Sequence, residues 1–308
     1  MISIRWLASI LLMPFLRGRS VPLVRPTRID WNTSLPPKTA QVNDHIIFYT
    51  VKGKGKPIVL IHGYGAGMWV WEKQMEVISQ HYRVYAVDVI GHGFSDRPKI
   101  PYTPEAYIYF LRDLMDGVGI EKATLIGNSM GGGIAWATAI LFPERVERLV
   151  LIDCVPPDVL RRVKNKSLRT LIGIRNIPFL PYLVISARSK SSMRWALKEC
   201  VSDVNLITPE VVKRQYQLSK IKGTTWVLYS TLKHAEEALK LRDQFSRIHQ
   251  PALFIWGEQD IIFPLDVGET LHRAITSSKF QLIEKSGHIP MWESPDQVNQ
   301  AILDFLKG

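Results

Sequence analysis

Three short segments carry residues that could do chemistry together. Gly127-Asn128-Ser129-Met130-Gly131 sets a serine between glycines, Trp256-Gly257-Glu258-Gln259-Asp260 ends in a carboxylate, and Ser286-Gly287-His288 ends in an imidazole. A serine hydroxyl is a poor nucleophile at neutral pH. It needs a base to take its proton, and that base needs a carboxylate to hold it in one tautomer. The three groups occur in the chain order serine, acid, histidine, a known order for such a relay. The chemistry this implies is attack of Ser129 on a carbonyl, with His288 as base and Asp260 as its orienting acid. The oxyanion formed on attack needs backbone donors. One is assigned to the amide of Met130, directly after the serine. The other is assigned to Tyr64, in the loop His62-Gly63-Tyr64-Gly65-Ala66-Gly67. Asp153, also at the end of an apolar run, is the alternative acid. His62 reads as a brace for the oxyanion loop, His92 as a structural hydrogen-bonder and Glu258 as a solvated neighbour of Asp260.

These residues can meet only if the chain places them on one edge of a common scaffold. Residues 39–42 and 45–51 flank Asn43-Asp44 and predict a two-strand hairpin. Apolar runs rich in β-branched residues follow at 57–62, 83–89, 123–127, 148–153, 252–256 and 280–283. Continuous runs of this length suit strands covered on both faces, as in a parallel sheet. Segments of helical spacing lie between them, at 69–80, 104–118, 130–141, 265–274 and 295–306. Thr103 and Ser294 are the expected caps before the prolines that open two of these helices. Alternating strand and helix predicts an α/β sheet with right-handed crossovers. The alternation fails over 154–250, which is proline-bearing and mostly helical in period, for instance at 191–200 and 209–219. That stretch reads as a helical cap, with Trp195 and Trp226 as candidate pocket wall or ordinary packing. The expected organisation is an N-terminal segment (1–28), a core in two parts (29–153 and 251–308), and the cap between them (154–250).

On the segments His62-Gly63, Gly127–Gly131, Trp256–Asp260 and Gly287-His288, the chain resembles the α/β-hydrolase superfamily over nearly all of 39–308. The turn Asp88 to Ser95 matches a structural strand-end turn of that family. The resemblance implies an α/β-hydrolase fold: a mostly parallel eight-stranded sheet flanked by helices, a Ser-His-Asp triad and a helical cap insertion. A serine at the elbow sets the chain apart from the dehalogenase and epoxide hydrolase branches, which use aspartate. Residues 127–132 and 287–293 are similar to carbon–carbon hydrolases of aromatic ring-cleavage products. Tyr64 and Ala66 depart from the small residues and proline of those enzymes' oxyanion loop, and look more like carboxylesterases and lipases. The leading expectation is a serine hydrolase of an ester with a medium-chain or lipid-like acyl group. The alternatives are a carbon–carbon hydrolase and a catalytically silent ligand-binding relative.

Composition narrows the remaining classes. The 308 residues include 39 Lys and Arg against 28 Asp and Glu, a net charge of +11. Residues 1–28 contribute +5 and 154–250 contribute +11, while the two core blocks are net acidic. The excess is therefore not that of a nucleic-acid module, and no recognition element for one occurs. The basic blocks suggest instead an anionic membrane surface or a plainly solvated cap. An apolar run at 6–16, flanked by arginines, is too short to span a bilayer. Its length suits an interfacial anchor, a signal-peptide core or a packed extension, so the expected location is cytoplasmic or peripheral on a membrane. Two cysteines cannot build a disulfide framework. No dinucleotide fingerprint, P-loop or H-E-x-x-H metal motif is present, so no cofactor and no metal is expected.

Overall fold

The structure, a computed structural model, describes residues 36–308. The expectations for residues 1–28, and those for the first residues of the block that follows, lie outside the described residues. Strand β1 (Lys38–Val42) and β2 (His45–Lys52) form the expected hairpin, with Asn43 at φ 52° in its turn. Then come β3 (Pro57–Ile61), α1 (Glu72–Ile78), β4 (Arg83–Val87), α2 (Pro104–Gly117), β5 (Ala123–Asn128), α3 (Met130–Leu141) and β6 (Val146–Ile152). Between Val159 and Arg247 the described elements are all helical: α4 (Val159–Arg162), α5 (Lys166–Gly173), α6 (Leu180–Ser186), α7 (Lys190–Lys198), α8 (Pro209–Ser219), α9 (Thr224–His234) and 3-10 turns. The chain closes with β7 (Ala252–Gly257), α10 (Leu265–Ala274), β8 (Ser278–Ile283), α11 (Pro290–Glu293) and α12 (Pro295–Lys307).

The eight strands form one sheet in the order β1-β2-β4-β3-β5-β6-β7-β8. Pairings of β2 with β1 and β4 are antiparallel, and all others are parallel. Parallel neighbours require crossovers, and the helices supply them on both faces. Alternate residues of a strand point to opposite faces. Accordingly Val59 and Ile61 join α2 and α3 in one apolar layer, while Ile58 and Leu60 join α1 and α12 in the other. All of β5 and β7 is buried, which explains why those segments read as unbroken apolar runs.

Helix ends were only partly anticipated. Thr103 caps α2, its hydroxyl accepting from the Ala106 amide at 3.0 Å. Ser294 does not cap α12: its side chain lies against the Ser286 hydroxyl at 3.4 Å instead. The segment read as one helix from residue 69 starts with a 3-10 turn, Met68–Trp71, before α1 proper. Among the described residues no helix is long and apolar enough to cross a membrane.

Candidate active site

The sharpest backbone feature lies at the end of β5. Ser129 stands between strand and α3 at φ 53°, ψ −117°, a conformation that costs a non-glycine residue about 1–3 kcal/mol. The turn closes only because its neighbours lack side chains. A Cβ on Gly127 would run into the Gly131 backbone, and one on Gly131 into the Ile61 carbonyl. Hydrogen bonds then pin the turn. Ser129 donates its amide to Ile152 O at 3.0 Å, and its carbonyl accepts from the Gly133 and Val155 amides, each at 3.1 Å. Asn128 reaches sideways, donating to the carbonyls of Ile152 (3.2 Å) and His288 (3.0 Å), so the serine turn and the histidine loop share a strut.

Asp260 and His288 follow β7 and β8, two neighbouring parallel strands whose ends bring the loops together. The Nδ1 of His288 lies 2.8 Å from Asp260 Oδ2, and both side chains are buried. Asp260 is itself held, its Oδ1 accepting from the amides of Ile262 at 2.7 Å and Phe263 at 3.1 Å. The Phe263 ring packs 5.7 Å from the imidazole. With Nδ1 committed to the carboxylate, Nε2 is the nitrogen left to act as a base. The loop is fixed from the helical segment too, since the His288 amide donates to Cys200 O at 2.9 Å. Glu293 adds a second clasp: it accepts from the amides of Ser202 (2.8 Å), Asp203 (2.6 Å) and Gly287 (2.7 Å).

The loop after β3 passes directly over the serine. A Cβ on Gly63 would lie 3.2 Å from that of Ser129, so a larger residue there would crowd the serine. His62 braces this loop as expected. It donates from Nδ1 to Gly63 O at 2.8 Å, and its Nε2 accepts from the Val89 amide at 3.1 Å. Those partners fix a neutral tautomer, and burial pulls its pKa down to about 4. Tyr64 is anchored at its far end, donating its hydroxyl to Leu228 O at 2.7 Å, and burial raises its phenol. Gln215 of α8 donates to the Gly65 carbonyl. The Met130 amide opens α3, where the first N–H groups have no partner within the helix. His92 donates from Nδ1 to Ile90 O at 3.3 Å; its Nε2 is buried without a partner among the described residues, and burial holds its pKa well below the usual value.

Asp153, the alternative acid, is fully buried at φ 41°. Its Oδ1 accepts from the Gly257 amide at 2.9 Å and its Oδ2 has no hydrogen-bond partner among the described residues. Burial, and then the charge of Asp260, raise its pKa well above the ordinary carboxylate value. Asp153, Asp260 and His288 are, among the described residues, the one set of potential metal-ligating atoms lying within 4.8 Å of one another. Three of the four carboxylate oxygens already accept from protein donors, which suits proton handling better than metal ligation. Glu258 is exposed and accepts from the Lys285 amide at 2.9 Å.

Trp195 is 54% exposed and Trp226 donates to Ile100 O at 2.9 Å, so neither joins these groups. The residues overlooked from sequence are Asn128, Gln215, Glu293 and Arg188. Glu293 was within a quoted motif, and Asn128 beside the serine, but their roles depend on partners far along the chain. Arg188, between α6 and α7, donates to the carbonyls of Ile185 (2.5 Å) and Ser219 (2.7 Å), while its buried Nε has no partner among the described residues. Burial lowers its pKa, and the neighbouring phenols of Tyr64, Tyr182 and Tyr216 oppose that shift.

A sequence profile of the alpha/beta hydrolase fold matches residues 56–295. The chain is 30% identical over 267 residues to a 2-hydroxy-6-oxo-2,4-heptadienoate hydrolase of Pseudomonas putida, covering 82% of this chain and 90% of that one. Among solved structures, a meta-cleavage product hydrolase from Pseudomonas fluorescens IP01 superposes with a TM-score of 0.75 at 26% identity, covering 88% of this chain and 97% of that one. A thermophilic esterase from Thermogutta terrifontis gives 0.69 at 25% identity, covering 89% and 98%. On the profile match, the eight-stranded sheet and these relatives, the chain belongs to the alpha/beta hydrolase fold family.

Proposed function

We propose that the protein is a serine hydrolase that cleaves a carbon–carbon bond beside a ketone in a carboxylate-bearing dienoate of the ring-cleavage type. Arg188 is the observation that carries this reading. Its half-buried guanidinium acts on the oxyanion-loop Tyr64 and is held by the carbonyls of Ile185 (2.5 Å) and Ser219 (2.7 Å), and its buried Nε, without a partner among the described residues, suits a substrate carboxylate. An uncharged lipid-like acyl ester offers it no partner. The heptadienoate hydrolase of Pseudomonas putida supports the same direction.

In this scheme Ser129 Oγ attacks the ketone carbon while His288 Nε2 takes the hydroxyl proton. Asp260 steadies the imidazolium that results. The ketone oxygen becomes an oxyanion facing the Met130 and Tyr64 amides. Collapse of that intermediate breaks the bond to the dienoate carbon. The enol of the dienoate has by then passed its proton to the carbon beside the ketone. The pair released on that now saturated carbon is delocalised through the remaining double bond into the 2-oxo group, and the proton on His288 is delivered to that fragment. Water, deprotonated by the same imidazole, then hydrolyses the acyl-serine to a carboxylic acid. Arg188 holds the dienoate carboxylate throughout and undergoes no bond change.

Ester hydrolysis is the second reading, favoured by one observation: the bulky Tyr64 in the oxyanion loop, anchored to Leu228. The same three groups would serve it, with an alkoxide as leaving group. A side-by-side assay separates the two. Loss of dienoate absorbance should proceed with the higher kcat/KM, and Arg188→Leu should lower it roughly 10–100-fold, the loss expected for a charged hydrogen bond, while p-nitrophenyl ester turnover stays near wild type. Ester turnover dominating in wild type, with Arg188→Leu neutral for both, would overturn the carbon–carbon reading in favour of the esterase.

A further inference from the structure

The helical segment between β6 and β7 carries a surface unlike the rest of the molecule. Of the eleven large apolar side chains exposed among the described residues, six lie within eight positions: Ile177, Phe179, Leu180, Tyr182, Leu183 and Val184. Helix α6 buries Pro181 and Ile185 inward, but Leu180, Leu183 and Val184 point out, so it is apolar on both its buried and its solvent side. Phe179 is 80% exposed at φ 61°, a left-handed conformation that a bulky residue adopts only at a local cost. The backbone therefore holds its ring outward at the tip of the turn. Scattered apolar residues are ordinary on a surface, whereas a contiguous patch of this kind marks an interaction site.

The charges around the patch identify the occupant. Residues 163–198 hold eight Lys and Arg and no Asp or Glu. Lys233 lies 6.0 Å from the Tyr229 ring, which packs edge-on against Tyr182 at 6.1 Å, and Lys220 donates to Arg188 O, so α8 and α9 extend the cationic rim. A second copy of this chain would bring the same positive field against itself. Residues 1–28, with five arginines and no acid, would be repelled likewise. Anionic phosphates above an apolar layer complement both parts of the surface. We propose that the face running from Ile177 to Val184 docks onto an anionic lipid bilayer, with its apolar side chains among the acyl chains and the surrounding lysines and arginines on the lipid phosphates. Of the eight cations over 163–198, Arg188, assigned to the substrate, and Arg175, paired with Glu236 at 3.2 Å, are not counted in this rim, so the surface is independent of the reading of the active site.

Vesicle co-sedimentation of the full chain tests it. Binding should be seen with phosphatidylcholine vesicles containing phosphatidylglycerol, should be weak on phosphatidylcholine alone, and should fall as salt is raised. The double variant Phe179→Ser/Leu183→Ser should lower partitioning about tenfold or more. Lys190→Glu/Arg194→Glu should do so by about fivefold or more per charge, and keeps the test available if the apolar variant is poorly folded. Equal binding to neutral and anionic vesicles, or anionic binding that neither variant changes, overturns the proposal. A dimer in solution that the Phe179→Ser/Leu183→Ser variant dissolves would assign the face to a second copy and overturn it equally.

Discussion

Asp153 and Asp260 reach the same pocket from neighbouring strands, within 4.8 Å of one another and of the His288 ring, yet only Asp260 bonds that ring, at 2.8 Å. Two buried carboxylates this close cannot both be charged without a large penalty. The structure divides the roles. Asp260 accepts from the His288 ring and two backbone amides, whereas burial and the charge of Asp260 raise the pKa of Asp153 well above its ordinary value.

That division predicts unequal responses to the same substitution. Asp260→Asn should lower kcat by about 10³–10⁴, as loss of an orienting carboxylate does elsewhere. Asp153→Asn replaces a carboxyl whose pKa burial raises by a neutral amide that can still accept from the Gly257 amide. Steady-state kinetics should change little, and the acidic limb of the pH profile should stay in place. The opposite pattern would make Asp153 the acid.

The serine turn makes a purely steric prediction. Gly127→Ala places a methyl group against the Gly131 backbone, which cannot move without disturbing α3. Thermal or denaturant unfolding should show a loss of about 3 kcal/mol or failure to fold. A variant as stable as wild type would mean that the turn is looser than its dihedral angles indicate.

His62 should leave a signature in stability against pH. Its folded pKa of about 4 lies below the unfolded value of about 6.5. The unfolded chain therefore binds the extra proton between those values, so His62 favours the fold above pH 6.5 and loses that contribution as pH falls toward 4. Across the full window this amounts to roughly 3 kcal/mol. Asp88, raised by burial to about 6, tilts the other way below that pH. The difference between wild type and His62→Gln isolates the histidine. Stability curves of the two that run parallel from pH 7 to 4 would contradict it.

Glu293 joins the histidine loop to the helical segment. Glu293→Gln leaves a single acceptor oxygen for the Ser202, Asp203 and Gly287 amides. Stability should fall by about 1 kcal/mol, the net worth of a part-buried hydrogen bond to a charged acceptor weakened to a neutral one. Since the clasp acts through His288, kcat should fall more than KM rises. An unchanged kcat would limit Glu293 to a scaffold role.

How much of this could be read from residue order follows from what each feature depends on. The strands were legible because β5 and β7 are covered on both faces, so their sequence is a plain apolar run. Ser129 was legible because its turn needs glycines at fixed offsets, and His288 and Asp260 because both follow such strands. The grip of the helical segment on the oxyanion loop was not legible. Tyr64 meets Leu228 across 164 residues and Gln215 meets Gly65 across 150, and neither partner carries a local signal. Ser294 misled for a related reason: its sequence position suits a cap, but the Ser286 hydroxyl competes for it.

The central claim is that Ser129 is the nucleophile, and fluorophosphonate labelling read by peptide mass spectrometry tests it most directly. The account predicts one adduct, on Ser129 of the wild-type protein, with labelling and substrate turnover both abolished in Ser129→Ala. An adduct on another residue, or turnover that survives in Ser129→Ala, would contradict it.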